Sequence, residues 1–347
     1  MKGKLILAFA LLLSVMFNSS SQVNGKLPDD QTIRKWMAEY KTPSVAIGTI
    51  EDGRVKDLKI VSDKSGTQPL NTVFNVASLT KPVTALTVLR LVTLGSWDLD
   101  EPLYHYWTDP DVKNDPRHKL LTSRNILSQK SGFPNWRWMD ESKVLKFQFS
   151  PGERFGYSGE GYEYLRHALE TKFKMSLDRL ADSVLFRPYN LKETKFFWDQ
   201  TIRPERFAVG HDTTGKPYEI YKNREANAAN WLMTTIEDYT RFAAEVINGG
   251  QLSPGVFEQM VSPQTTLNQN KQVYWGLGWA VIKGLKNEEY ALMHGGGGQG
   301  VACNVVLLPG SKRGLVVLTN GDRGSEICNK ILMEYLGCGE EILSRVR

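Results

Sequence analysis

A serine and a lysine separated by two residues, Ser78 and Lys81, are the two side chains of this sequence best suited to chemistry. Residues i and i+3 of a helix lie on one face, which brings the hydroxyl and the amine within hydrogen-bonding reach. A serine hydroxyl is a poor nucleophile until a neighbouring base takes its proton. The spacing therefore predicts a serine nucleophile with a lysine beside it.

The residues around this pair predict the environment that such chemistry needs. Pro82 is tolerated only in the first turns of a helix, so a helix should begin at or just before Ser78. The backbone N–H of Ser78 would then lack an intrahelical partner and could donate to an oxyanion. The mostly apolar segment 74–79 favours a partly desolvated lysine with a lowered pKa. The alternative interpretation is a serine helix cap followed by a solvated lysine.

Other familiar motifs are incomplete in this sequence. Residues 295–300 match Gly-x-Gly-x-x-Gly, but a β-rich run follows where dinucleotide binding requires a helix. Residues 156–159 fall short of a nucleophile elbow because Glu160 stands where glycine is required. The five histidines form no His-Glu-x-x-His and no closely spaced pair. We therefore expect no catalytic metal and no cofactor.

Four segments, in the same order along the chain, carry a resemblance to a known family. They are Ser78–Lys81, Ile126–Pro134, Ser150–Gly159 and Tyr274–Gly296. The second is similar to Leu-Leu-x-His-x-Ser-Gly-Leu-Pro and the third to Pro-Gly-x-x-Phe-x-Tyr-Ser-Asn, while the fourth joins Tyr-Gly-Leu-Gly-Trp to an element like Lys/His-Thr-Gly. Together they resemble the serine hydrolases related to class C β-lactamases, penicillin-binding D,D-peptidases and family VIII carboxylesterases.

The resemblance implies a role for each landmark residue. Ser78 would attack a carbonyl and form an acyl-enzyme, with Lys81 and Tyr157 as its proton-transfer partners. Which of these two takes the first proton stays open. The backbone N–H of Gly297 would be the second oxyanion donor beside that of Ser78, since a glycine backbone can approach a ligand closely. The substrate-binding positions implied by the resemblance are His294, Gly295, Gly296 and Gly159.

Three departures from the family pattern bear on the substrate. Gly159 replaces an asparagine, His294 replaces a permanently charged lysine, and Gly295 replaces a threonine or serine. All three weaken the recognition of an anionic amide, so we rank esters and D-amino-acid peptides above β-lactams as substrates. The alternative function is a penicillin-binding or cell-wall sensor that is acylated without turnover. The expected partner is a small-molecule or cell-wall peptide substrate, and the oligomeric state is left open.

Strand-like runs lie at both ends of the chain, with helical patterns between them. After a helical pattern at 29–40, two β-rich runs, 44–50 and 54–60, are joined by an Asp-Gly pair that is typical of a hairpin turn. The strands expected near the end are 276–283, 289–293, 301–308 and 314–319, with the glycines after residue 294 lying between strands. We therefore predict an α/β fold of the β-lactamase and penicillin-binding type, with an antiparallel sheet built from both terminal segments and flanked by helices. Its sheet domain would comprise residues 23–77 and 272–347, and a mostly helical domain would comprise residues 78–271.

The composition excludes some function classes. The 43 basic and 38 acidic residues are scattered along the 347-residue chain, which does not indicate a nucleic-acid partner. The apolar run 5–17 follows two lysines and predicts a signal peptide over residues 1–22, hence a secreted or periplasmic protein without a membrane span. Cys303, Cys328 and Cys338 are expected as buried thiols, with a bridge between the last two as the alternative.

Overall fold

The computed structural model describes residues 25–63 and 68–347, so the expected signal peptide lies outside the described residues. The helices are α1 Asp30–Tyr40, α2 Thr80–Thr93, α3 Ser123–Leu127, α4 Gly159–Phe173, α5 Leu177–Ala181, α6 Ile236–Ile247, α7 Pro254–Val261, α8 Gly324–Tyr335 and α9 Gly339–Val346. The strands are β1 Ser44–Glu51, β2 Arg54–Ser62, β3 Phe74–Asn75, β4 Met233–Thr234, β5 Thr265–Asn268, β6 Val273–Trp275, β7 Ala280–Leu285, β8 Glu289–Gly298, β9 Val301–Leu308 and β10 Arg313–Thr319.

Eight of these strands form one antiparallel sheet in the order β2-β1-β10-β9-β8-β7-β6-β5. The pairing of β1 with β10 joins the first of the described strands to the last. The predicted fold class, an antiparallel sheet drawn from both ends of the sequence and flanked by helices, is therefore confirmed. The sheet also takes in β5, which lies before the expected domain boundary at residue 272.

The hairpin between β1 and β2 shows how local sequence sets this edge of the sheet. Asp52 and Gly53 have φ values of 50° and 71°. A two-residue turn with both φ values positive matches the right-handed twist of the flanking strands, and Asp-Gly adopts it readily. The predicted strands and their turn are confirmed.

Helices cover both faces of the sheet, and the burial of the central strands reflects this. All residues of β10 are buried, as expected for a strand in a sheet whose two faces are both covered. Along β9, Val306 and Leu308 pack in the core that includes α1, α8 and α9. Val305 and Leu307 pack in the opposite core, which includes α2 and α6. Helix α6 contacts β1, β2 and β10 although its sequence lies within residues 78–271.

Several boundaries near the end of the chain differ from those predicted. Strand β8 continues through the glycines as far as Gly298, and these residues pair with β9, so they do not lie between strands. Ladder hydrogen bonds need only backbone atoms, so glycine does not end the pairing here. The expected strand 276–283 is shorter because the chain bends after β6, and β7 begins at Ala280. Strands β5 and β6 and helix α9 were not predicted.

The three cysteines are buried and free, which leaves the bridge between Cys328 and Cys338 unformed. Across residues 25–63 and 68–347, no helix has both the length and the apolar character needed to cross a membrane.

A partly buried ionic cluster joins the segments around Asp109 and Arg137 to the start of α4. The Arg137 guanidinium contacts Asp109 at 2.7 Å, Asp111 at 3.0 Å and Glu160 at 2.9 Å. Asp109 and Glu160 are buried, and the backbone N–H of Arg137 also donates to Glu160 at 2.9 Å. One cation therefore compensates two buried carboxylates on different parts of the chain.

We expect Arg137→Met to destabilise the fold by about 3 kcal/mol, because it leaves two buried carboxylates without their cation. Urea unfolding followed by circular dichroism measures the change. Arg187→Met is the matched control, since Arg187 and its partner Asp182 form a largely exposed pair. Equal effects of the two substitutions would contradict the role of the cluster.

Candidate active site

Ser78 lies in a tight turn that leads into α2. Residues Ala77–Leu79 form a 3-10 turn and the α-helix begins at Thr80, so the α-helix starts slightly later than predicted. Ala77 has a φ of 46°, which is unusual for a residue other than glycine. The turn is held by the Asn75 side chain, which accepts from the Ala77 N–H at 2.9 Å, and by Thr80 Oγ1, which donates to the Ala77 carbonyl at 2.6 Å. The position of Ser78 is thus fixed by its neighbours.

The amine of Lys81 is buried beside the Ser78 hydroxyl. Lys81 Nζ donates to Ser78 Oγ at 3.2 Å and to the backbone carbonyl of Ala229 at 3.0 Å. Burial lowers the pKa of Lys81 to about 7, and the nearby Glu163 carboxylate opposes this shift. The desolvated amine expected from the apolar neighbours of Ser78 is present.

The segment that supplies the Ala229 carbonyl is tied to α2 and α4. The Leu232 N–H donates to Thr80 Oγ1 at 3.0 Å, and Thr84 Oγ1 donates to the Ala228 carbonyl at 2.7 Å. The Ala228 N–H donates to Glu163 Oε1 at 2.6 Å. Sequence reasoning identified neither Ala229 nor Glu163. A backbone acceptor leaves no signature in residue types, and Glu163 is distant in sequence from Lys81.

The ring of Tyr157 lies against the same amine. Its centroid is 4.6 Å from Lys81 Nζ. Burial raises the pKa of Tyr157 to about 12, although its contact with Ser78 partly offsets this effect. The two proton-transfer candidates therefore have widely separated pKa values, and the lysine loses its proton first.

Gln129 accepts hydrogen bonds from the residues on both sides of Tyr157. The Gly156 N–H donates to the Gln129 carbonyl and the Ser158 N–H donates to Gln129 Oε1, each at 2.8 Å. Gln129 is fully buried and has a φ of 58°, which turns its backbone and side chain towards one loop. It stands at the histidine position of the Leu-Leu-x-His motif, and that position was the available signal for this residue.

His294 is buried beside the lysine and is neutral. Its Nδ1 lies 2.8 Å from the Gly295 carbonyl and must donate to it, since a carbonyl only accepts. Burial and the nearby Lys81 lower the pKa of His294 to about 3. Nε2 is thus an acceptor, and it has no partner among the described residues. Its ring lies 6.4 Å from that of Tyr157 and 5.5 Å from that of Trp275.

The glycines of β8 allow this strand to lie directly against the Ser78 turn. A Cβ on Gly296 would stand 2.3 Å from the Val76 carbonyl oxygen, which no side chain could accept. Gly297 is exposed, and a Cβ there would meet nothing within 4 Å, so its backbone borders open space next to the turn. The structure brings together Ser78, Lys81, Tyr157, His294 and the β8 glycines.

Gly159 is covered by an indole. A Cβ at this position would stand 2.5 Å from the Trp136 ring. Asn135, the residue before Trp136, is bound to the start of α4. Its carbonyl accepts from the N–H groups of Gly159 and Glu160 at 3.0 Å each. Where the family pattern has an asparagine side chain, this chain has the edge of Trp136. The sequence alone does not predict this contact, because it joins residues 136 and 159.

Among the residues that the structure describes, no group of three or more histidine, cysteine, aspartate or glutamate side chains could hold a metal ion.

Comparisons with known proteins bear on the family and the fold of this chain. The family model described as Beta-lactamase matches residues 30–330. Protein flp of Staphylococcus aureus (strain N315) is 22% identical over 320 residues, covering 84% of this chain and 62% of its own length. Penicillin-binding protein 4* of Bacillus subtilis (strain 168) is 24% identical over 298 residues, covering 76% of this chain and 64% of its own length. The chain thus spans less than two thirds of these curated relatives.

Solved structures share the fold at low identity. The octameric penicillin-binding protein homologue from Pyrococcus abyssi matches with a TM-score of 0.70 and 21% identity, over 85% of this chain and 74% of its own. A D-stereospecific amidohydrolase from Streptomyces sp. matches with a TM-score of 0.69 and 18% identity, over 85% of this chain and 95% of its own. At this level of identity the similarity concerns the fold alone.

We expect Gly159→Asn to destabilise the protein by about 1–3 kcal/mol, because the new side chain overlaps the Trp136 indole. The same substitution should reduce the stability less in a Trp136→Ala background, because the indole no longer fills the space. Thermal and urea unfolding of the single and double variants measure this coupling.

Gly255→Asn is the matched control for that cycle, since a Cβ at Gly255 meets nothing within 4 Å. Additive effects of Gly159→Asn and Trp136→Ala would show that the indole does not occupy this space.

Proposed function

Because this chain belongs to the Beta-lactamase family, we propose that it is a serine hydrolase that works through an acyl-enzyme on Ser78. The observation that carries the proposal is the buried amine of Lys81, 3.2 Å from the Ser78 hydroxyl and with a pKa of about 7. A base with a pKa near the working pH combines a useful neutral population with enough basicity to accept a proton.

In the acylation step, neutral Lys81 takes the proton of Ser78 as Oγ attacks the substrate carbonyl carbon. The carbonyl oxygen becomes an oxyanion that accepts from the backbone N–H groups of Ser78 and Gly297. Tyr157 donates its proton to the leaving group as the bond to the carbonyl carbon breaks, and it recovers a proton from the Lys81 ammonium. Water then attacks the ester carbonyl of the acyl-enzyme. Tyr157 passes its proton to Lys81 and takes one from the water, and the Lys81 ammonium returns a proton to Ser78 Oγ as the acid is released.

The assignment of the first base rests on the two pKa values. With the pKa of Tyr157 near 12 and that of Lys81 near 7, the tyrosine stays protonated at neutral pH while the lysine is partly neutral. In this proposal Tyr157 is the proton donor to the leaving group and Lys81 is the base.

For the substrate, we favour esters or D-amino-acid peptides over β-lactams. His294 is neutral in its buried position, Gly295 carries no hydroxyl, and Trp136 covers Gly159 where the family pattern has an amide. A secreted or periplasmic location belongs to the same proposal and rests on the apolar run at residues 5–17.

The second candidate is a sensor that is acylated and does not turn over. The observation that favours it is the loss of polar side chains at Gly159 and Gly295, which leaves fewer groups to orient a hydrolytic water. Both candidates share the acylation of Ser78 and differ in the lifetime of the acyl-enzyme.

We expect Ser78→Ala to abolish covalent labelling by a fluorophosphonate while circular dichroism and the melting temperature stay unchanged, because the change removes one hydroxyl at a half-buried position. Intact-mass spectrometry measures the label. Ser96→Ala, at an exposed serine, is the matched control and should label fully.

Labelling of Ser78→Ala at the wild-type rate would refute the assignment of the nucleophile. Turnover of short acyl esters by the wild-type protein would favour the hydrolase, and a stable acyl-enzyme without turnover would favour the sensor.

The pH dependence of acylation tests the role of Lys81. Its pKa is lowered to about 7, so kcat/KM for a neutral ester should rise with pH through about 7 and then level off as the amine becomes neutral. Glu163→Gln removes the charge that raises the pKa of Lys81. The kcat/KM of this variant should therefore rise at lower pH than that of the wild-type protein.

Glu170→Gln controls for the loss of a carboxylate on α4, since Glu170 also pairs with Arg166. It should leave the pH profile in place. A profile that is flat between pH 5 and about 9 in the wild-type protein would exclude Lys81 as the base.

A further inference from the structure

The proposed oxyanion donor on β8 lies close to the tip of a hairpin. Residues 299 and 300 form the turn between β8 and β9, and Gly298 pairs with Val301 across it. The pair that flanks a two-residue turn is hydrogen-bonded, and bonded and non-bonded pairs alternate along an antiparallel ladder. The next pair, Gly297 with Ala302, is therefore non-hydrogen-bonded, and the Gly297 N–H points away from β9.

The other edge of this part of β8 has no partner strand among the described residues. Strand β7 begins at Ala280, which pairs with Met293, and the pairing goes no further towards the hairpin tip. The Gly297 N–H thus faces an open edge, where it can donate to a substrate. Its position depends on β9, on the Ser78 turn and on the contacts made at the hairpin tip.

The carboxylate of Asp322 binds the tip of this hairpin. Its Oδ1 accepts from the Gly300 N–H at 2.6 Å, and its Oδ2 accepts from the Tyr218 hydroxyl at 2.7 Å. Hydrogen bonds to an ionised acceptor are shorter and roughly twice as strong as those between neutral groups. Asp322 lies between β10 and α8, so these bonds join the hairpin tip to a part of the chain outside it.

A segment that we call the strap, residues 206–218, begins beside the strand that leads to Ser78. The Val73 N–H donates to the Arg206 carbonyl at 2.7 Å, and the Ala208 N–H donates to the Val73 carbonyl at 2.9 Å. Strand β3 follows Val73 directly and continues into the Ser78 turn. The first residues of the strap are therefore bonded to the part of the chain that carries the other oxyanion donor.

Further along, the backbone of the strap lies directly against the hairpin tip. A Cβ on Gly300 would stand 2.4 Å from the Gly210 Cα, so the two glycines allow this close approach. The Tyr218 N–H donates to the Gly210 carbonyl at 2.8 Å, and the Asp322 N–H donates to the His211 carbonyl at 3.0 Å. Asp322 is therefore bonded to the hairpin and to the strap at once.

We propose that Asp322 is a positioning residue for acylation, because together with the strap it sets the distance between the two N–H groups of the oxyanion hole, on Ser78 and Gly297. The inference rests on the proposed function and acts through Gly300, three residues beyond Gly297. The oxyanion forms only as Oγ attacks, so a displaced Gly297 N–H should slow acylation and leave substrate binding unchanged.

The experiment measures single-turnover release of p-nitrophenol from p-nitrophenyl acetate, with the protein in excess and its concentration varied. This gives the acylation rate constant and the dissociation constant of the noncovalent complex separately. We expect Asp322→Ala to lower the rate constant by about tenfold, less than the loss of about 10²–10³ that follows removal of a whole oxyanion donor. The dissociation constant should stay within about twofold of the wild-type value.

Asp322→Asn tests whether position rather than charge matters. The Asn Oδ1 can accept from the Gly300 N–H, and its Nδ2 can donate to the Tyr218 oxygen. This variant should therefore acylate within about threefold of the wild-type rate. Tyr218→Phe removes one of the two side-chain contacts of the carboxylate and keeps the other, so it should lower the rate constant by about threefold.

Asp98→Ala is the matched control. Asp98 is exposed and accepts from a backbone N–H, that of Asp100, at 2.8 Å. It lies beyond the end of α2 that is farthest from Ser78, so the loss of its contact should leave the acylation rate constant unchanged. Melting temperatures of all variants show that the rates are measured on folded protein.

The outcomes separate the two proposals. If folded Asp322→Ala acylates at the wild-type rate, or if it does not fold and Tyr218→Phe acylates at that rate, the role of Asp322 is overturned while the serine hydrolase stands. Equal losses in Asp322→Ala and Asp322→Asn would overturn it as well. If the wild-type protein releases no p-nitrophenol and a fluorophosphonate fails to label Ser78, the proposed function is overturned, and with it the role of Asp322.

Discussion

The burial of one amine is the constraint on which the rest of the site depends. Moving the pKa of Lys81 from 10.5 to about 7 corresponds to roughly 5 kcal/mol against its charged form. The fold maintains this by burying Nζ beside the rings of Tyr157 and Tyr162, and among the described residues its hydrogen-bond partners are a hydroxyl and one carbonyl. A carboxylate in direct contact would restore the charge. The Glu163 carboxylate, which raises the pKa of Lys81, is held by the Ala228 N–H and by Arg166 instead.

That environment requires several distant parts of the chain to meet through backbone contacts. The Val76 N–H donates to the Leu232 carbonyl at 3.0 Å, which ties the Ser78 turn to the segment that supplies the Ala229 carbonyl. On the other side, β8 can approach the turn only because Gly296 has no Cβ. The positive φ of Ala77 is tolerated because these contacts on both sides over-determine the turn.

The sequence predicts the parts of this arrangement that side-chain patterns encode. Residue periodicity and the Asp-Gly pair locate α1, β1 and β2, and the Ser-x-x-Lys spacing locates the nucleophile and its amine. The Ala229 carbonyl, the hold of Gln129 on the Tyr157 loop and the extension of β8 to Gly298 depend on backbone atoms, which residue types do not reveal. The Trp136 edge over Gly159 is missed for a related reason, since it joins two segments that are distant in sequence.

The neutrality of His294 follows from the same electrostatic requirement. Lys81 and His294 lie close enough for the charge of the lysine to lower the pKa of the histidine. By reciprocity, a permanent cation at position 294 would lower the pKa of Lys81 below about 7 and weaken it as a base. A neutral imidazole at this position therefore leaves the pKa of Lys81 near the working pH, where the amine serves best as a base.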